Sequence, residues 1–265
     1  MNQPVLFVSH GGGPLPLLGD PGHAGMVEAF ADIRTTLNEL PRPRAVLYTS
    51  AHWEAEPLRL TAAPDPGLYY DYYGFPDESY QIQYPVPGAP DVADTAAAVL
   101  QAAGIHVMLD EQRGLDHGVF VPGLLLFPKA DIPTLQLSLH PSLDPAFHLR
   151  IGRALKALRE QGVLIIGSGF SFHNMRAFFG PADPAVDKAN RDFESWLQTT
   201  VELPEQMQRE QRMLEWTDAP GARLSHPREE HLLPLHVCLA AADTAAWRQW
   251  HFTVLGRQGS CYLWN

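Results

Sequence analysis

Short apolar runs alternate along this chain with longer stretches whose apolar residues recur at helical spacing. Val5 to Ser9 is an apolar, β-branched run closed by His10-Gly11-Gly12-Gly13-Pro14, which predicts a buried strand entering a glycine-rich loop. Met26 to Leu40 carries Met26, Phe30, Ile33 and Leu37 on one helical face, with Pro41 and Pro43 closing it. Ala45 to Ser50 is a second buried strand, ended by Ala51-His52-Trp53. Residues 65–90, rich in Pro, Gly and Tyr and lacking periodicity, read as a long functional loop bordering a site. A helix is expected at 92–103 and a strand at 106–109. Asp116-His117-Gly118 opens a helix over 119–126, with Asp116 as its N-cap. Thr134 to Leu139 is a strand followed by His140-Pro141, and Pro145 to Gln161 a helix with Gly162 at its C-terminal side. Val163 to Gly167 is the most apolar strand and runs into Ser168-Gly169-Phe170-Ser171-Phe172-His173-Asn174. Helices follow at 185–200, 205–216 and 228–242, the last with Pro234 in its first turn, and strands at 252–255 and 260–263 close the pattern.

Strands alternating with helices imply an α/β fold, a mainly parallel central sheet flanked by helices. With no internal repeat, linker or low-complexity tract, residues 1–265 are expected to form a single domain. The formal net charge of -11 and the absence of a Lys/Arg run argue against nucleic acid as a partner. The two cysteines, Cys238 and Cys261, are too few for a disulfide framework and fit the reducing cytoplasm. Met1-Asn2-Gln3-Pro4 leads straight into a strand, so no signal peptide is expected. No apolar stretch approaches the roughly 20 residues of a membrane span. Oligomeric state is left open.

Histidine placement changes the picture most. His10, His52 and His173 each follow an apolar strand, at the carboxyl edge where open α/β sheets bind ligands. His117 joins them if its loop lies on that edge. His231 and His236 are five apart, so they point in different directions: one is available as a ligand and the other structural. Neutral imidazole binds Fe, Zn, Cu or Ni, and without paired thiolates a structural zinc ribbon is not expected. His23, His106, His140, His148, His226 and His251 are read as surface or hydrogen-bonded core residues, His140 less firmly because it too follows a strand.

Taken in order, His10-Gly11-Gly12-Gly13-Pro14, Ser50-Ala51-His52-Trp53, Gly74-Phe75-Pro76, Tyr80, Tyr84-Pro85-Val86-Pro87-Gly88, Leu115-Asp116-His117-Gly118, Gly167-Ser168-Gly169 with His173-Asn174, and Glu230-His231 with Leu233-Pro234-Leu235 resemble the class III extradiol ring-cleavage dioxygenases. The nearest branch is the DOPA 4,5-dioxygenase-like proteins, and the resemblance covers nearly the whole chain. It implies an enzyme that opens the ring of a catechol-type, DOPA-like substrate with O2 at a mononuclear non-haem metal. The metal is Fe(II) for activity, with His10, His52 and His231 as ligands. His173 takes the acid/base role, with a fourth-ligand role as the alternative, and His117 lies near substrate and oxygen. The protocatechuate-cleaving branch has a glutamate as third ligand. His231 here makes a more neutral site that suits Zn(II) as well as Fe(II). A zinc-dependent hydrolase using the same histidines is the competing reading, and a non-catalytic metal or small-ligand binding protein a third. The tyrosine-rich 69–73 run is available to wall a flat ring, or is a packed surface loop.

Overall fold

The computed structural model describes residues 2–265; the Met1 end of the N-terminal reading lies outside the described residues. Strand β1 (Val5–Ser9) leads through two short 3-10 turns into α1 (Ala24–Asn38). Then come β2 (Ala45–Glu54), β3 (Leu58–Thr61), α2 (Pro90–Ala102), β4 (Val107–Asp110), α3 (His117–Leu126) and β5 (Thr134–Leu139). They are followed by α4 (Pro145–Leu155), α5 (Ala157–Glu160), β6 (Val163–Gly169), α6 (Met175–Phe179), α7 (Pro184–Val201), α8 (Gln206–Leu214), α9 (Ala222–Ser225), α10 (Leu233–Ala242), β7 (Arg248–Val254) and β8 (Arg257–Trp264).

The strands form one sheet in the order β4-β3-β5-β2-β6-β1-β8-β7. Its centre is parallel: β5, β2, β6 and β1 run together. The β7–β8 hairpin adds antiparallel on the β1 side. On the other side β3 meets β5 antiparallel and carries β4 parallel to itself. Alternate residues of the central strands feed two cores. Phe7, Leu47 and Ile165 face α2, α4, α7 and α10, whereas Leu6, Val46 and Leu164 face α1 and α3. Both faces are buried, which is why these strands read as continuous apolar runs.

Several expected boundaries shift for local reasons. β2 continues to Glu54, so His52 lies within the strand and not beyond it. Its parallel ladder with β6 nonetheless stops at Ser50, and its register with β5 breaks between Thr49 and Glu54. The expected 228–242 helix starts only at Leu233. Pro234 lacks an amide hydrogen and is tolerated only in the first turn, so Arg228 to Leu232 form turns instead. The 145–161 helix is broken at Lys156 into α4 and α5. Strand β3 and helices α6 and α9 had no sequence signal of their own, being short and partly polar. Residues 65–90 are largely irregular, as expected, apart from one 3-10 turn at Asp77–Gln81 and a bridge from Leu68 to Leu115.

Candidate metal centre

Three segments bring histidines to the carboxyl edge of the central strands. His10 follows β1 directly, its amide bonded to the Gly169 carbonyl at 2.9 Å. His52 projects from β2 just past the end of its ladder with β6. His231 belongs to the turn before α10, and its carbonyl accepts the Phe170 amide at 3.0 Å. A Cβ at Gly169 would lie 2.1 Å from that carbonyl, so only glycine lets the turn approach β6 this closely. The glycine loop after His10 is pinned too: the Gly12 amide donates to His23 Nε2 at 3.0 Å, and His23 Nδ1 pairs with Asp20 at 2.7 Å. Gly11 takes φ +85° there, a conformation open to glycine and strained for other residues.

His10, His52 and His231 each offer a ring nitrogen, all within 4.8 Å of one another. His10 Nε2 and His52 Nε2 are 3.0 Å apart. Two nitrogens each bound at about 2.0–2.1 Å to one ion lie about 2.9–3.4 Å apart for angles between square and tetrahedral, so the spacing fits a shared metal. The outer nitrogens have their own partners. His10 Nδ1 meets Ser168 Oγ at 3.0 Å, His231 Nδ1 meets Glu230 Oε1 at 3.0 Å, and His52 Nδ1 faces Asp71 Oδ2 at 3.6 Å. A tautomer with the Nδ1 protons of His10 and His231 toward those oxygens leaves their inward nitrogens as lone pairs, the form in which imidazole takes a metal ion. Burial, followed by the neighbouring histidines, holds His10 and His52 well below the ordinary imidazole value. Burial and His173 likewise lower His231 to about 3. All three are neutral at pH 7, the form that ligates.

His117 stands beside this trio, its ring centroid 3.9 Å from that of His52. Asp71 clasps it: the two carboxylate oxygens lie 2.8 and 2.9 Å from His117 Nδ1, and Oδ1 also accepts the His117 amide at 3.0 Å. Burial opposes ionisation of Asp71, but these bonds prevail and lower it overall. Asp116 corrects an expectation. It occupies the N-cap position of α3 without capping it; its carboxylate accepts from Ser50 Oγ at 2.8 Å and from Gln136. The Asp71 carboxylate takes the α3 amide instead. Buried, and facing Asp71, Asp116 is pushed up. Arg113 is stacked between Trp53 and Tyr69, 4.6 and 4.8 Å from their rings, and reaches Asp116 at 3.4 Å.

His173 is stacked flat on His231, ring centroids 3.4 Å apart, with its Nδ1 3.4 Å from the same Glu230 oxygen. Burial would raise Glu230, but its bonds to His173 and His231 take it well below the carboxylate range. All five histidines line one cavity of about 350 Å³ with the 11–13 loop, Tyr72, Phe75 and Phe170. The long 65–90 loop thus borders the site. Asp71 and Ser168 were missed as orienting residues. Asp71 lies among tyrosines with no motif, whereas Ser168 and Glu230 sat inside quoted motifs without a role. The remaining histidines behave as expected where they are buried: His148, His226 and His236 bond backbone carbonyls.

A histidine-lined crevice on the carboxyl edge of a parallel sheet is the layout of an α/β enzyme site. The chain belongs to the LigB family, the catalytic LigB subunit of aromatic ring-opening dioxygenase, which it matches over residues 4–262. It is 41% identical to the dioxygenase tasH of Hapsidospora irregularis, over 99% of this chain and 85% of that one. It is 40% identical to a 4,5-DOPA dioxygenase extradiol of Beta vulgaris over 76% and 74%, and 33% identical to that of Escherichia coli K12 over 91% and 86%. The crystal structure of an uncharacterized Escherichia coli K12 protein, JW3007, superposes with a TM-score of 0.75 at 29% identity. The match covers 99% of this chain and all of that one.

Proposed function

We propose that this chain is one catalytic domain that opens the ring of a catechol-type, DOPA-like substrate with O2, at a mononuclear metal held by His10, His52 and His231. The observation that carries the reading is the pair of Nε2 atoms 3.0 Å apart at the floor of an aromatic-lined cavity. Fe(II) is the active metal, and Zn(II) fits the same nitrogens. When bound, the ferrous ion supplies chelation of the two diol oxygens and activation of O2.

The chain's own residues do the rest. His173 takes a proton from a diol hydroxyl, since its imidazole faces the cavity and a catechol must lose a proton to become electron-rich. Asp71 fixes the His117 tautomer with Nδ1–H toward itself, leaving Nε2 to face substrate and oxygen. Glu230 and Ser168 orient His231 and His10. Phe75, Phe170 and Leu255 exclude water around the ring. The partners are the aromatic diol and O2, not nucleic acid. No helix among the described residues is long and apolar enough to cross a membrane, and the free thiols of Cys238 and Cys261 suit a cytoplasmic setting.

The test is anaerobic Fe(II) loading followed by oxygen uptake with a catechol panel. The expected result is one O2 consumed per catechol opened. His52→Ala should lose both metal and turnover while its unfolding curve stays close to that of the metal-free parent, because a chain of this size has its own core. Absence of oxygen uptake with ester or amide turnover under nitrogen would replace the dioxygenase by the zinc hydrolase.

A further inference from the structure

The cavity over His10 and His52 has a second chemical character that ring opening itself does not require. Away from the histidines its lining includes Leu15, Phe75, Phe178, Phe179, Val254 and Leu255, and it contains no lysine or arginine among the described residues. The arginines of the neighbouring cleft that shares His173 with it are Arg176 and Arg228. Both terminal nitrogens of Arg228 already bind Glu54, at 2.7 and 2.8 Å, and one also lies 3.4 Å from Glu230. Arg113, stacked between Trp53 and Tyr69, is engaged by Asp116.

Leu255 adds an independent observation. The β7–β8 hairpin closes in two residues, Leu255 and Gly256, with φ of 48° and 81°. Two successive positive φ values make the turn that Asn-Gly or Asp-Gly adopts readily. A leucine there is backbone strain that the turn does not need. Leucine adds an apolar side chain that packs over Gly22 and lines the cavity, steadied by its amide bond to the Gly22 carbonyl at 3.0 Å. Strain held at a cavity wall is a pointer to binding.

We propose, on the dioxygenase reading above, that this cavity selects catechols whose ring substituent is uncharged and apolar, an alkyl or aryl chain, and that Leu255 is the residue that reads that substituent. The substrate is then DOPA-like in its ring diol and unlike DOPA in its side chain. Against this lining a DOPA ammonium and carboxylate would face phenyl and leucyl groups with no charged partner, Arg176 lying in the neighbouring cleft. Each methylene of an alkyl chain that leaves water should tighten binding by roughly threefold to fourfold.

Binding and turnover are measured separately so that this selection and the dioxygenase reading stand or fall apart. Zinc-loaded protein under nitrogen is titrated calorimetrically with catechol, 4-butylcatechol and DOPA; iron-loaded protein is then assayed for ring opening of each. We expect 4-butylcatechol to bind at least about tenfold tighter than catechol, and DOPA no tighter than catechol. In Leu255→Asn, which suits the turn but removes the apolar side chain, the advantage of 4-butylcatechol over catechol should shrink several-fold. An unchanged advantage in that variant would overturn the role of Leu255. Tightest binding of DOPA, lost in Arg176→Ala, would overturn the selection and send the side chain to the neighbouring cleft. The expected binding order without ring opening of any catechol would support the selection and sink the dioxygenase reading.

Discussion

His173 and His231 share one carboxylate, and that sharing separates their roles. Glu230 Oε1 is 3.0 Å from His231 Nδ1 and 3.4 Å from His173 Nδ1. The shorter contact orients His231, the proposed ligand; the longer leaves His173 freer to turn toward a bound hydroxyl. His173→Ala should therefore retain metal, still bind a catechol and lose roughly 10²–10⁴-fold in turnover, the usual worth of a positioned proton transfer. Metal analysis of the purified variant checks it, and a loss matching that of His52→Ala would make His173 a ligand. At this scale the histidines were legible because several stand just past apolar runs. Their supporting oxygens were not. Asp71 looks like any polar residue in a tyrosine-rich loop, and only the fold brings it to His117, 46 positions along the chain. Asp116 looked like a cap because caps and buried acceptors use the same residue types.

Helix α10 and the turn before it come close to strand β6 at two glycines, and the position of His231 depends on that contact. Gly167 lies under the Pro234 carbonyl and Gly169 under that of His231, where added Cβ atoms would come within 2.4 and 2.1 Å. Gly169→Ala must push the His231 turn outward. We expect it to cost about 1–3 kcal/mol of stability, as overpacking does, and to weaken metal binding at least about tenfold, whereas Gly19→Ala, with open space around it, should leave metal binding alone. Denaturant titration and metal competition read the two effects. The apolar strands and long amphipathic helices were legible because burial on both faces or on one stripe writes itself into the sequence. β3 was not: Leu58-Arg59-Leu60-Thr61 is only four residues long and pairs in both directions at once. The shift of the last helix start to Leu233 was half visible, since Pro234 announces a first turn. The turn that aims His231 carries no periodicity of its own.

Across the molecule, Glu194 is a carboxylate buried outside the crevice, 5% exposed. Burial raises the Glu194 carboxyl from 4.5 to about 7, against opposing bonds from Ser171 and Ser260. The unfolded chain releases this proton near 4.5 and the folded one near 7. The folded state therefore binds more protons in between, and stability falls as pH rises through that window. The loss is on the order of 3 kcal/mol and is complete above about pH 8. His226, lowered by burial to about 3, acts in the opposite sense below about 6.5, where stability falls with falling pH. Glu194→Gln should leave the His226 slope and remove the other, so the variant should gain on its parent at pH 8 relative to pH 5 in denaturant melts. An equal difference at both pH values would remove Glu194 from the account. Strand β1 sits in the sheet between β6 and β8, so its two neighbours come from far along the chain. The same order governs the crevice. Roughly 220 residues separate His10 from His231, so at about 5–20 residues per second a ribosome needs roughly 10–40 s to deliver the third imidazole after the first. Until then a nascent chain would own at most two of the three proposed ligands, His10 and His52, open on the side that β6 and the His231 turn will close. On the proposed three-histidine site, an ion met early in synthesis would have two of its three imidazoles to hold it, so the docking of the His231 turn would be the step that completes the site.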